Sequence, residues 1–270
     1  MKFLQEKSRS YPAEHVRLLH EHLSGSVVEL VAFERKDYKI SHLGTGVIVC
    51  CDNSSGCIGI ITTISCDPKD YLVRARFADQ KSMETEVLLR GRVLSGLVIR
   101  GYDGAAEVTP VTLDESFEEN PKRSEPVWTA GCFSDNLDEI MPGGYICVLN
   151  IAKIIRNKDL VRTFVHSCPI GDGLIGAPVI NRFGKILGIT IARSKETATL
   201  NHGMRFEELK KELADLADGA NNEESMSSLL RKFSQSLLRR VAKKRGTGSS
   251  SRKMKRTDAG SSSSKKPRRT

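Results

Sequence analysis

The sequence predicts an all-β domain, a barrel or a sandwich, with short flanking helices and a basic tail, and three observations carry that prediction. Between Val27 and Arg193 about a dozen short apolar runs follow one another. Gly, Asp, Asn and Pro punctuate them at short intervals. No helical apolar spacing is sustained between the runs, so the strand-helix alternation of a parallel α/β fold is disfavoured.

The elements are expected in this order. Residues 13–23 place Val16, Leu19, His20 and Leu23 on one face behind Pro12, which reads as a helix within an N-terminal extension over 1–25. Strand-like runs then occupy 26–33, 44–50, 59–63, 71–77, 85–93, 95–100 and 107–113, followed by 127–131, 144–155, 160–166, 177–181 and 185–192. The acidic, Pro-containing segment 114–125 falls near the middle and is expected to join two halves of about six strands each. Closing each half on itself would remove most exposed sheet edges. Phe206, Leu209, Leu213 and Leu216 sit at helical spacing and predict a helix that completes a domain over 26–218.

After a break at 219–222, the stripe Met226, Leu229, Leu230, Phe233, Leu237 and Val241 predicts a basic amphipathic helix within 219–242. The remaining Ser, Gly, Lys and Arg of 243–270 bury too little apolar surface to offset their ordering entropy, so a disordered tail is expected there.

Of 42 Lys and Arg and 33 Asp and Glu, the last fifty residues hold 15 and 3, so the net charge of +9 belongs to that end and the rest is near neutral. Seven cysteines form no C-x-x-C pair, and the first residues lack the apolar core of a secretory signal. Reduced thiols in a non-secreted protein are the expectation. His166 and Cys168 lie close in sequence but lack further ligands at metal spacing, so neither a metal nor another cofactor is expected. No apolar run approaches 18 residues, so no membrane partner is expected.

Four stretches carry chemistry. They are Gly44-Thr45-Gly46-Val47-Ile48-Val49, then Gly59-Ile60-Ile61-Thr62-Thr63-Ile64-Ser65-Cys66, then Asp103-Gly104-Ala105-Ala106-Glu107-Val108, and finally Gly173-Leu174-Ile175-Gly176-Ala177-Pro178-Val179. In this order the chain resembles the trypsin-like serine proteases, including their Deg-type branch, over roughly residues 27–192. The resemblance implies a chymotrypsin-like double β-barrel with its site between the barrels. The last stretch is similar to the family's G-x-S-G-[GA]-P nucleophile loop, which makes Gly173 and Gly176 the oxyanion-loop-like residues and puts Ile175 at the serine. Ser65 stands at the histidine position of [IL]-[LI]-T-[AN]-A-H. Asp103 matches the acid of the D-[IL]-A-[LV]-L strand loosely, and an ordinary turn aspartate before Gly104 is the equal alternative.

A hydrocarbon at 175 supplies no nucleophile, and a hydroxyl at 65 cannot act as a base near neutral pH. The expectation is a protein without protease activity whose cleft holds a peptide or protein segment by strand addition. The alternative is an active hydrolase with a displaced site built from Ser65 or Ser167 with His166 or His202. Against it, His166 and Ser167 are neighbours on a strand and point to opposite faces.

The tail carries Lys243, Lys244 and Arg245, then Arg252, Lys253, Lys255 and Arg256, then Lys265, Lys266, Arg268 and Arg269. Such clusters read as nuclear-import signals, with an import receptor as partner and a nuclear or nucleocytoplasmic location, or as patches for nonspecific nucleic acid. A solvated tail with no receptor is the remaining reading.

Overall fold

The computed structural model describes residues 13–64, 67–103, 108–111, 123–131, 143–154, 160–168, 172–193, 200–221 and 223–248. Ser65, most of the 114–125 junction and the tail clusters at 252–256 and 265–269 lie outside the described residues. An N-terminal helix α1, Ala13–Ser24, leads into two all-antiparallel sheets.

The first sheet holds β1 Val27–Glu34, β2 Ile40–Asp52, β3 Cys57–Thr62, β4 Tyr71–Arg76, β5 Ser82–Glu84, β6 Glu86–Arg90 and β7 Ser95–Ile99, in the order β5-β4-β1-β2-β3-β7-β6. Only Thr85 separates its two outer strands, and its N–H and Oγ1 both donate to the Val73 carbonyl, at 2.8 and 3.0 Å. The sheet therefore curls until its edges meet at one residue. Val28, Leu30, Ile48, Ile58, Ile60, Leu97 and Ile99 fill its interior.

The second sheet is a closed barrel of β8 Pro126–Thr129, β9 Gly143–Ile154, β10 Leu160–His166, β11 Pro178–Asn181, β12 Ile186–Arg193 and β13 Asn201–Arg205, in the order β10-β13-β12-β11-β8-β9. Val127, Phe164, Cys168, Val179 and Leu187 pack inside it. β13 is absent from the sequence reading because Asn201-His202-Gly203-Met204-Arg205 shows no apolar alternation. Gly203 belongs there for space, since a β-carbon on it would lie 2.3 Å from the Phe164 ring. The strand expected at 107–113 is also not found: described residues 108–111 form no strand, although Thr109 N–H donates to Gly25 and Val111 N–H to Ile48.

Two helices follow, α2 Phe206–Leu216 and α3 Met226–Gly248. The apolar stripe read for the second helix is buried, and it lies on the outside of the first sheet rather than on a partner. Gly59 of β3 and Gly96 of β7 open the space: β-carbons there would lie 3.1 Å from Leu237 Cδ1 and 2.8 Å from Phe233 Cζ. α3 also runs six residues past the expected boundary at 242, so Lys243, Lys244 and Arg245 are helical rather than part of a disordered tail. Lys244 Nζ reaches the Glu86 carboxylate, and Arg100 joins Glu86 (2.6 Å) to the Val241 carbonyl (3.4 Å).

Candidate functional site

The site lies where β2 of the first sheet meets the loop before β11 of the second barrel. Thr45 N–H donates to the Ile175 carbonyl at 2.7 Å, and Thr45 Oγ1 donates to the Gly173 carbonyl at 2.7 Å. Gly173 lies in a 3₁₀ turn, Asp172–Leu174. From the other barrel, Gly176 N–H donates to Thr190 at 2.8 Å, and Thr63 Oγ1 crosses between the barrels to the same carbonyl at 3.0 Å. The loop is thus fixed through its backbone and not through the side chain at 175.

Two glycines make the approach possible. Gly176 has φ of +91°, and a β-carbon on it would sit 2.1 Å from the Thr45 carbonyl oxygen. A β-carbon on Gly44 would lie 2.2 Å from Ile64 Cδ1 and 2.7 Å from the Ile175 carbonyl oxygen. The residue just before Ser65 and the Ile175 loop therefore meet over Gly44. Ile175 itself is half-buried and Ile64 is buried.

Asp103 is elsewhere. Its side chain is 88% exposed and stands 3.6 Å from Lys81 Nζ, and the adjoining Tyr102 N–H donates to Gly56 at the start of β3. In the β3–β7 register Ile58 faces Ile99 and Thr62 faces Ser95, so Asp103 lies beyond the end of β3 opposite to Thr62. Six strand residues, about 17 Å, separate those ends. The turn-aspartate reading fits this placement; an acid acting with residues 65 and 175 does not.

An acid near the end of β3 would have to stand just before β7, and Leu94 occupies that place, fully buried. Of residues 94–98, Leu-Ser-Gly-Leu-Val, only Leu97 matches the D-[IL]-A-[LV]-L pattern, so the sequence carries no signal for an acid there. The turn that holds Leu94 is instead gripped by a carboxylate from α2. Glu212 accepts from Arg92 Nε at 2.8 Å, Val93 N–H at 3.1 Å and Leu94 N–H at 3.4 Å. Nothing local in the sequence signals that contact across more than a hundred residues.

Of the residues proposed for a displaced site, His166 offers no working base. The His166 ring is buried inside the second barrel, 5.9 Å from the Phe164 ring centroid, and Ser167, the next residue, is half-buried. Thr129, His166, Thr190 and Asn201 are all fully buried, and His166 Nδ1 and Nε2, Thr129 Oγ1, Thr190 Oγ1 and Asn201 Oδ1 have no hydrogen-bond partner among the described residues. Burial, with His202 nearby, pushes the His166 pKa down to about 3. It is neutral in the folded protein and offers no cation for catalysis. Among the described residues no three His, Cys, Asp or Glu side chains stand close enough to hold a metal ion.

This histidine has a measurable consequence. Between pH 6.5 and 3 the unfolded chain binds a proton at residue 166 that the folded chain does not. Stability is unaffected by it above about pH 6.5 and falls on acidification, by up to about 1.4 kcal/mol per pH unit. Urea unfolding at pH 7.5, 6 and 5 is expected to show this decline, and His166→Phe is expected to flatten it.

One edge of the cleft is open. β2 pairs with β1 from Ile40 to Val47 but with β3 only from Val47 onward. Thr45 turns its N–H and C=O away from β1, toward Ile175 and Thr62. By the two-residue period, Leu43 presents its own pair in the same direction, and among the described residues no strand pairs with it there; beyond it the register shifts, with Ser41 as the extra residue. Tyr38 and Ile40, 70% and 61% exposed, stand at the outer end of that edge.

This architecture has counterparts among solved structures. The Rv3671c protease from M. tuberculosis in its active form superposes with a TM-score of 0.61 at 17% identity, over 78% of this chain and 88% of that one. The fold is that of the trypsin-like serine proteases. The inactive form of the same protease matches at a TM-score of 0.58 and 14% identity, over 76% and 96% of the two chains. A serine-to-alanine mutant of it, also inactive, gives 0.59 and 15%, over 76% and 93%. No protein-family model matches the sequence, and neither does any curated protein. The chymotrypsin-like double barrel expected from four short motifs is thus found, at an identity that speaks to fold alone.

Proposed function

We propose that this protein is a catalytically inactive trypsin-like protease homologue that holds an extended segment of a peptide or protein in the cleft between its barrels and works in the nucleus. The observation that carries this reading is Ile175. The loop keeps a two-sided backbone framework, with Thr45 and Thr190 as its anchors, while the side chain it displays is a hydrocarbon. Leu94 extends the defect to the acid position. Loss of triad members leaves at most about 10³ to 10⁴-fold acceleration over water, too little for a working protease. The open edge of β2 at Leu43 supplies main-chain hydrogen bonds for a bound strand, and alternate side chains of that strand would meet Ile40 and Leu43, which the register shift brings to one face.

Two experiments test this. Ile175→Ser is expected to stay inactive toward a broad fluorogenic peptide library and unlabelled by an active-site serine probe, because a serine there still lacks a base. Turnover by this variant would overturn the reading. In the second, peptides selected for binding to the wild-type protein are expected to lose at least about tenfold in affinity to Leu43→Pro, which removes an edge N–H. Undiminished binding would remove β2 from the site. For location, a fluorescent fusion is expected in the nucleus, and neutralising 252–256 and 265–269 is expected to release it to the cytoplasm. Those two clusters carry the signal in this proposal, since Lys244 is committed to Glu86 within a helix.

A further inference from the structure

The docking of α3 divides its surface in a way the sequence alone leaves open. Its apolar stripe is spent: Met226, Leu229, Leu230, Phe233, Leu237 and Val241 are buried against the domain. Along the opposite side, Arg231, Gln235, Arg239 and Lys243 are exposed and follow one another every four residues, ~6 Å apart along the axis. α3 contains seven Lys and Arg and no Asp or Glu. Some of these cations are used at home. Lys232 pairs with Glu224 (2.6 Å), Lys244 with Glu86, and Arg240 lies 3.8 Å from Asp218. Arg231 and Arg239 have no acidic partner among the described residues, and the chain beyond α3 continues with eight more Lys and Arg against one Asp.

We infer that the outer face of α3 is a binding surface for nucleic acid through its phosphate backbone. Charge complementarity selects the partner. Arg231, Arg239 and Lys243 lie along twelve residues of the helix, about 18 Å, with no Asp or Glu between them, and such a spaced row of cations matches a long, regularly charged polyanion. An anionic membrane is the poorer fit, because an interfacial helix needs its apolar face for the lipid, and here that face is buried in the protein. No aromatic residue is exposed on α3, and none follows Phe233, so bases have nothing to stack on. The surface contacts phosphates without reading sequence.

The test uses the full chain and a labelled 20-base-pair DNA duplex titrated at several salt concentrations. Wild-type binding is expected to weaken linearly on a log–log plot against salt. Arg231→Gln and Arg239→Gln combined should reduce the slope by up to about 1.8, at ~0.9 per lost phosphate contact, and weaken binding several-fold at fixed salt. Both arginines are exposed and have no acidic partner among the described residues, so the melting temperature should be unchanged, and Leu43→Pro on β2 should leave duplex binding as it was. That last comparison separates this surface from the peptide site, since either can fail alone. The inference is overturned if the double variant matches wild type in slope and affinity while neutralising 252–256 and 265–269 abolishes binding, which would give the contact to the tail alone. It is equally overturned if phosphatidylserine vesicles bind the protein and the duplex does not.

Discussion

Truncating Phe233 to alanine is expected to lower the stability of the protein by about 3–5 kcal/mol, read as a shift of the urea midpoint. The ring is fully buried, and its far end lies where Gly96 leaves β7 bare. Leu237, one turn further on, spans Gly96 and Gly59 on the neighbouring strand, with a Gly96 β-carbon 3.3 Å from its Cδ2. Two glycines side by side on adjacent strands form a trough, and only a large side chain fills it. The cavity left by alanine cannot close, because the flanking contacts of Leu229, Leu237 and Val241 hold the helix at its present distance. Phe233→Leu keeps most of the volume and is expected to cost less than half as much. A midpoint unchanged in Phe233→Ala would mean that α3 does not dock through this trough.

Glu212→Ala is expected to cost a comparable 3–5 kcal/mol or so, by a different mechanism, at about the level found for breaking a buried ion pair. Its carboxylate is almost wholly shielded from water and accepts from a guanidinium and from two main-chain N–H groups. Removing it leaves the Val93 and Leu94 donors buried without partners and strands Arg92, half of whose pairing with α2 is lost. Glu212→Gln keeps an acceptor oxygen and is expected to retain part of the loss, roughly 1–3 kcal/mol. Hydrogen exchange at the Leu94 amide gives the local readout. Its protection should drop in the alanine variant before that of β3, since the turn opens without unfolding the sheet.

How much of this was legible in the sequence depends on the range over which each feature is encoded. Apolar runs placed most strands, because a buried strand must be apolar wherever it sits. β13 escaped, since its residues include Gly203, present for the benefit of Phe164 on another strand, and Asn201, whose amide donates to Cys168. The nucleophile loop was legible through Gly176 and Pro178, which the backbone geometry demands whatever stands at 175. The acid was not. Asp103 carried an acidic side chain far from the loop at 175, while the place just before β7 is held by Leu94, which looks like any core residue. Only the pairing of Ser95 with Thr62 tells them apart. The helical reach of α3 through Lys244 likewise depends on Glu86, a partner 158 residues away.

The trough formed by Gly59 and Gly96 also sets a timetable. The strands that make it leave the ribosome well before the residues that fill it, with Ile99 at the end of β7 and Met226 at the start of α3 separated by some 127 positions. At about 5–20 residues per second, synthesis of that interval takes on the order of 6–25 s. Throughout it, one side of the first barrel is a naked apolar surface attached to a growing chain. The first barrel is therefore completed only once α3 has been made and has docked.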